Sequence, residues 1–178
     1  MSSVLQRVIL PRDTDPLDVR PLYLDEPEQV HCHVSSRRAV TVPPSALVSF
    51  AAYFNAFPAS YWRRWTAIET VTLRMSVRGA GRVEVYRSKS NGDVIHLTGR
   101  SVHSAEQVSE LEFAVDIRPL EDGGWIWFDV FTDDTAMEII EAAWVGDREL
   151  PERKLAIGMP TFNRPDRKST RLNSSHER

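Results

Sequence analysis

Val71, Leu73, Met75 and Val77 alternate without a break with Thr72, Arg74, Ser76 and Arg78. Side chains of an extended strand point to opposite faces in turn, so this pattern buries one face and wets the other. The rhythm recurs at Val83 and Val85, and again at Leu111, Phe113, Val115 and Ile117 against Glu112, Ala114 and Asp116. Turn-forming residues separate the runs: Gly79-Ala80-Gly81, Ser90-Asn91-Gly92-Asp93 and Asp122-Gly123-Gly124. Such residues accept the positive φ that tight turns need. The spacing predicts a hairpin of residues 71–78 with 82–87 about the Gly79-Ala80-Gly81 turn. It then predicts strands over residues 94–98, 111–117, 125–131 and 136–145. Residues 53–65 are ambiguous and Pro58 interrupts them; no long segment has amphipathic helix spacing. The expected fold class is all-β, an antiparallel β-sandwich or jelly-roll-like domain.

Residues 1–48 read as irregular, because Pro11, Pro16, Pro21 and Pro27 interrupt any long helix. Short extended pieces at residues 7–10 and 40–42 can pair with a sheet edge. The first residues carry only a short apolar patch, broken by Arg7 and Pro11, unlike a signal peptide. No apolar run approaches the about 20 residues of a membrane span. A cytoplasmic location is expected. Cys32 is the single cysteine, which excludes an internal disulfide. It lies between His31 and His33, whose side chains leave an extended backbone on the face opposite to its own. A surface loop is expected there, with no metal site. The net charge is −3, and the basic Arg167, Lys168, Arg171 and Arg178 near the end leave the preceding body more acidic still. Nucleic-acid binding needs clustered Lys and Arg, so no nucleic-acid partner is expected.

The character of the chain changes after the last predicted strand. A charged linker containing Pro151 leads to the apolar run Lys154-Leu155-Ala156-Ile157-Gly158-Met159, and then to Pro160-Thr161-Phe162-Asn163-Arg164-Pro165. A short hydrophobic strand entering a polar loop is how α/β nucleotide-binding domains open. Too few residues follow to complete one. Residues 167–178 lack apolar periodicity and read as an artefactual or disordered tail. The expected division is residues 1–148 as a β-sandwich, 149–166 as a linker with the first strand and loop of a second, truncated domain, and 167–178 as the tail.

Several stretches together resemble one family. They are Arg7-Val8-Ile9-Leu10-Pro11-Arg12, residues 16–24 (PLDVRPLYL), residues 48–66 (VSFAAYFNAFPASYWRRWT), Gly79-Ala80-Gly81-Arg82-Val83, residues 121–129 (EDGGWIWFD) and Pro160-Thr161-Phe162-Asn163-Arg164-Pro165. In order and spacing they resemble the polymerising UDP-galactofuranosyl transferases that build cell-wall galactan. The resemblance implies an N-terminal β-sandwich followed by a GT-A catalytic domain. It implies transfer of galactofuranose from UDP-galactofuranose to a lipid-linked galactan, with Mn²⁺ or Mg²⁺ in the full-length parent. It also implies a homotetramer, peripherally associated with the inner face of the plasma membrane. Pro160, Thr161, Phe162 and Arg164 match the loop that contacts the uridine diphosphate. The acidic metal motif, the base and the metal-ligating histidine of the family lie beyond the matched region. An inverting transferase needs a base for the acceptor hydroxyl and a cation for the leaving diphosphate. No catalytic residue, metal ligand or cofactor is therefore assigned within this chain, and the fragment is expected to be inactive.

The sandwich is rich in aromatic residues: Tyr53, Phe54, Phe57, Tyr61, Trp62, Trp65, Trp125, Trp127 and Trp144. Trp62-Arg63-Arg64-Trp65 can grip an acceptor sugar, a lipid headgroup or a neighbouring subunit. Trp125 and Trp127 share one strand face with Asp129, and Ile126, Phe128 and Val130 take the other. With both faces apolar, this strand is expected to be covered on both sides, in the core or at an interface. Asp133-Asp134 reads as a solvated turn between strands. The roles open to the sandwich are assembly or acceptor positioning in a transferase, a stand-alone carbohydrate-binding module, or a purely structural oligomerisation domain.

Overall fold

The computed structural model describes residues 2–12, 14–120 and 124–150. Short elements come first: β1 (Val4–Arg7), a 3-10 turn (Leu17–Leu22), β2 (His33–Val34), β3 (Val40–Val42), β4 (Leu47–Ser49), β5 (Phe57–Pro58) and helix α1 (Ala59–Trp65). Three long strands follow: β6 (Thr70–Ser88), β7 (Val94–Asp116) and β8 (Trp125–Gly146). β6 lies between β7 and β8, antiparallel to both. The far edge of β8 takes the short strands in sections, β5 and β4 near its start and β3 and β1 near its end.

The hairpin expected at Gly79-Ala80-Gly81 does not form. β6 runs through these residues as one strand and bends there, and its register slips against both neighbours. Gly79 has φ +124° and Gly81 φ +155°. A Cβ at Gly79 would lie 2.4 Å from the Ala136 carbonyl oxygen, and one at Gly81 2.2 Å from that of Phe131. Glycine is needed both for the dihedral and for the close backbone approach. A bulge and a turn make the same local demand on sequence. The difference is that β7 and β8 pair with β6 on both sides of the bend.

The predicted strands at residues 94–98 and 111–117 likewise merge into β7, and those at 125–131 and 136–145 into β8. In β8 the inward set is Ile126, Phe128, Val130 and Thr132, then Met137 and Ile139, then Ala142 and Trp144. Two phase changes, around residues 133–136 and 140–141, disguise one strand as two. Asp133 and Asp134 are exposed, but they sit within the bent strand rather than in a turn.

Val71, Leu73, Met75, Val77, Val83 and Val85 are buried on the same face of β6 across the bend, so the sheet folds over on itself. The halves meet directly: Phe57 stacks on Trp144 with centroids 5.3 Å apart, and the Arg100 guanidinium lies 5.8 Å from the centre of the Phe113 ring. The result is an all-β sandwich with one hydrophobic cluster among the described residues.

The first residues are more ordered than their prolines suggest. Val8, Leu10 and Leu24 are buried. Asn55, fully buried, accepts from the Ile9 N–H (2.9 Å) and donates to the Ile9 (2.8 Å) and Tyr23 (2.6 Å) carbonyls. The expected surface loop at Cys32 is corrected as well: Cys32 is buried, while His31 and His33 are exposed. The Cys32 N–H donates to Glu26 (2.7 Å), which pairs with Arg20 at 2.5 Å, and Arg20 also donates to the Cys32 carbonyl at 2.7 Å. Burial pushes the Cys32 thiol far above its ordinary range. Polar neighbours in sequence hid an inward-pointing thiol, because burial here is decided by what packs over it.

Candidate functional site

The outer face of one half of the sandwich carries an ordered lattice of side chains. Arg82 stands opposite Phe131, Glu84 opposite Asp129 and Tyr86 opposite Trp127. On the other side of β6, the same three residues face Ser101, Gly99 and His96. β4 extends the first two rows with Leu47 beside Phe131 and Ser49 beside Asp129. Strand alternation puts these residues outward because Val83, Val85, Phe128 and Val130 fill the core.

The two carboxylates are tightly held. Glu84 is only 8% exposed and lies across Gly99, where a Cβ would come 2.2 Å from its carboxylate oxygen. Arg82 Nε pairs with it at 2.7 Å, and His96 Nε2 contacts its other oxygen. Asp129 accepts from Ser49 Oγ at 2.5 Å and from the Trp127 side chain. Burial pushes the Asp129 carboxyl above its usual value, and the nearby charges of Asp25 and Glu84 add to the rise. The Tyr86 hydroxyl is raised too, by burial first and then by Asp129 and Glu84.

The rings adjoin these carboxylates. Tyr86 and Trp127 run nearly parallel, 20° between planes with centroids 6.1 Å apart, and His96 meets Tyr86 edge-on at 5.3 Å. Arg82 covers the Phe131 ring at 5.0 Å. Beyond that row opens a cleft of about 950 Å³, lined in part by Leu47, Arg82, Ser101, His103 and Phe131. At the other end Trp125 is 49% exposed. Among the described residues, the expected covering of this strand's outer face is therefore absent at Trp125. The outer face of its first residues is open because β5 is only two residues long and lies beside the strand, not over it.

The residues singled out on α1 do not share one face. Trp62 packs inward, parallel to Phe57 at 6.1 Å, whereas Trp65 is 64% exposed. Arg63 Nε donates to the Arg118 carbonyl at 3.3 Å, and Arg64 is exposed. A helix of this length turns adjacent residues to different sides, so the motif divides between packing and solvent. Pro160, Thr161, Phe162 and Arg164 lie outside the described residues. Among the described residues, no group of three or more His, Cys, Asp or Glu side chains is placed to hold a metal ion. Sequence reasoning placed Trp127 and Asp129 on one face but missed Glu84, Tyr86 and His96. Their alternation is visible; their position beside Trp127 depends on register.

Residues 5–147 match the sequence model of the family described as Galactofuranosyltransferase 2 N-terminal. The chain belongs to this family. It is 48% identical over 167 residues to galactofuranosyltransferase GlfT2 of Mycolicibacterium smegmatis, covering 92% of this chain and 26% of that protein. Its identity to galactofuranosyltransferase GlfT2 of Mycobacterium tuberculosis is 48% over 168 residues, with the same coverage of 92% and 26%. The chain thus spans about a quarter of the length of the curated relatives it matches. Among solved structures it is similar to the N-terminal CBM22-1-CBM22-2 tandem domain of Paenibacillus barcinonensis Xyn10C. The TM-score is 0.51 at 13% identity, over 85% of this chain and 48% of that one. At that identity the likeness bears on the fold of this family member and on nothing else.

Proposed function

We propose that this chain is the N-terminal β-sandwich of a galactofuranosyltransferase that transfers galactofuranose from UDP-galactofuranose to growing cell-wall galactan. The observation that carries the reading is the family match over residues 5–147, with 48% identity to named galactofuranosyltransferases. In this reading residues 1–148 form the sandwich, and residues 149–166 begin the glycosyltransferase domain. The sandwich supports assembly or positions the lipid-linked galactan acceptor. Bond-making belongs to the rest of the parent protein, where a base would take the acceptor proton and a bound Mn²⁺ or Mg²⁺ would supply positive charge for the leaving diphosphate. Pro160, Thr161, Phe162 and Arg164 contact the nucleotide there, since a guanidinium suits diphosphate oxygens. The parent acts as a tetramer at the inner face of the plasma membrane. Peripheral attachment is compatible with the described residues, in which no helix is long and apolar enough to cross a membrane.

The purified chain, given UDP-galactofuranose, Mn²⁺ and a galactan acceptor, is expected to release no uridine diphosphate and to extend no acceptor. Metal-dependent turnover above a protein-free control would overturn the division of labour.

A further inference from the structure

We infer that the outer face built from Arg82, Glu84, Tyr86, His96, Trp127 and Asp129 is a binding site for a neutral glycan chain. Three properties point to that chemistry. The Tyr86 and Trp127 rings form adjoining near-parallel planes, against which the C–H faces of sugar rings can stack. Hydrogen-bonding groups lie in the next rows: Glu84 and Asp129 accept, Arg82 donates, and Ser49 and Ser101 carry hydroxyls. Apolar planes with a few convergent polar groups are what a polyhydroxylated ligand needs.

Charge excludes the other ligand classes. The face holds one guanidinium against two carboxylates, with Asp25 close enough to raise the Asp129 carboxyl. A phosphate or nucleotide would be repelled. An apolar protein surface laid over Asp129 would finish burying a half-buried carboxylate and offer it no further hydrogen-bond donor. A neutral polyol returns hydroxyl donors to both carboxylates. The rows at Arg82, Glu84 and Tyr86 span about 13 Å at the ordinary strand rise, and Trp125 and the cleft beside Arg82 lengthen the track at either end. That length suits several linked sugars rather than one. The site goes beyond the transferase reading and rests on it only in the choice of galactan as the glycan.

The test is an amide NMR titration of the full 178-residue chain with an oligogalactofuranoside. Xylohexaose and mannohexaose serve as comparison sugars. Saturable shifts at residues 82–86, 96–99 and 127–131 are expected. Tyr86→Ala should weaken binding by about tenfold or more, the loss typical of a central aromatic contact. Asp129→Asn keeps an acceptor for Ser49 and removes the half-buried charge. It should weaken binding by about tenfold while leaving the melting temperature unchanged or higher, a combination that a purely structural role would not give. If only xylohexaose or mannohexaose binds this face, the glycan site stands and the galactan assignment falls. If no sugar shifts these amides at millimolar concentration, or if Tyr86→Ala binds as tightly as the parent chain, the site is wrong and the assembly reading is untouched.

Discussion

Asn55 illustrates how one polar residue organises a region that its sequence leaves formless. Its amide satisfies two carbonyls and one N–H from segments that precede it by more than thirty positions along the chain. Replacing it with Ala would leave those groups buried and unpaired, each at a cost of about 1–3 kcal/mol, partly relieved by water. Asn55→Ala is expected to lower stability by about 3 kcal/mol, read as a shift of the urea midpoint with an unchanged slope. A loss below about 1 kcal/mol would mean that the first residues are held by apolar contacts alone. Trp144 shows the opposite balance. Its Nε1 has no hydrogen-bond partner among the described groups, although the ring is fully buried. Removing such a ring costs about 3–5 kcal/mol, more than the about 1–3 kcal/mol penalty of one orphan donor, so packing decides in favour of Trp.

For single elements, the decisive feature is the bend of β6. Gly81 combines φ +155° with a backbone oxygen only 2.2 Å from where a Cβ would sit, whereas Gly92 has φ +89° and nothing within 4 Å. Gly81→Ala therefore meets both strain and backbone collision, and Gly92→Ala strain alone. The expected losses are about 3 kcal/mol and about 1 kcal/mol respectively, compared by chemical denaturation. Equal losses would contradict the bend. Helix α1 follows Pro58, which contributes to β5 and then stands at the helix start. A residue that breaks the 53–65 pattern in sequence thus marks the boundary between two elements. Proline suits that place because it needs no amide partner there.

Across the molecule, β6 and β8 each contribute to both halves of the sandwich, and their inward residues belong to one core cluster. Neither half can be opened without tearing strands that continue into the other. Thermal unfolding is expected to be a single cooperative transition, with tryptophan fluorescence and far-UV circular dichroism giving coincident midpoints. Trp144 lies in one half and Trp127 in the other, so separate melting of the halves would show as two midpoints. The folded-over sheet also leaves its outer faces to solvent, which is how Tyr86 and Trp127 come to stand beside two carboxylates rather than in the core.

The amino-acid sequence by itself determined which residues of a strand share a face. The alternation at Val71–Val77 and Leu111–Ile117 in single steps, and the apolar run Ile126, Phe128 and Val130, required buried strand faces wherever they occurred. It also carried the family resemblance, because long runs such as residues 48–66 are read without any fold. Tertiary structure alone decided that Gly79-Ala80-Gly81 is a bend and not a turn, that Cys32 is buried, and that Glu84 and Tyr86 stand against Asp129 and Trp127. Alternation is a property of one strand, set by its own backbone. Pairing, register and burial are set by which distant strand lies alongside, and a slip of one residue would exchange every side chain between core and solvent.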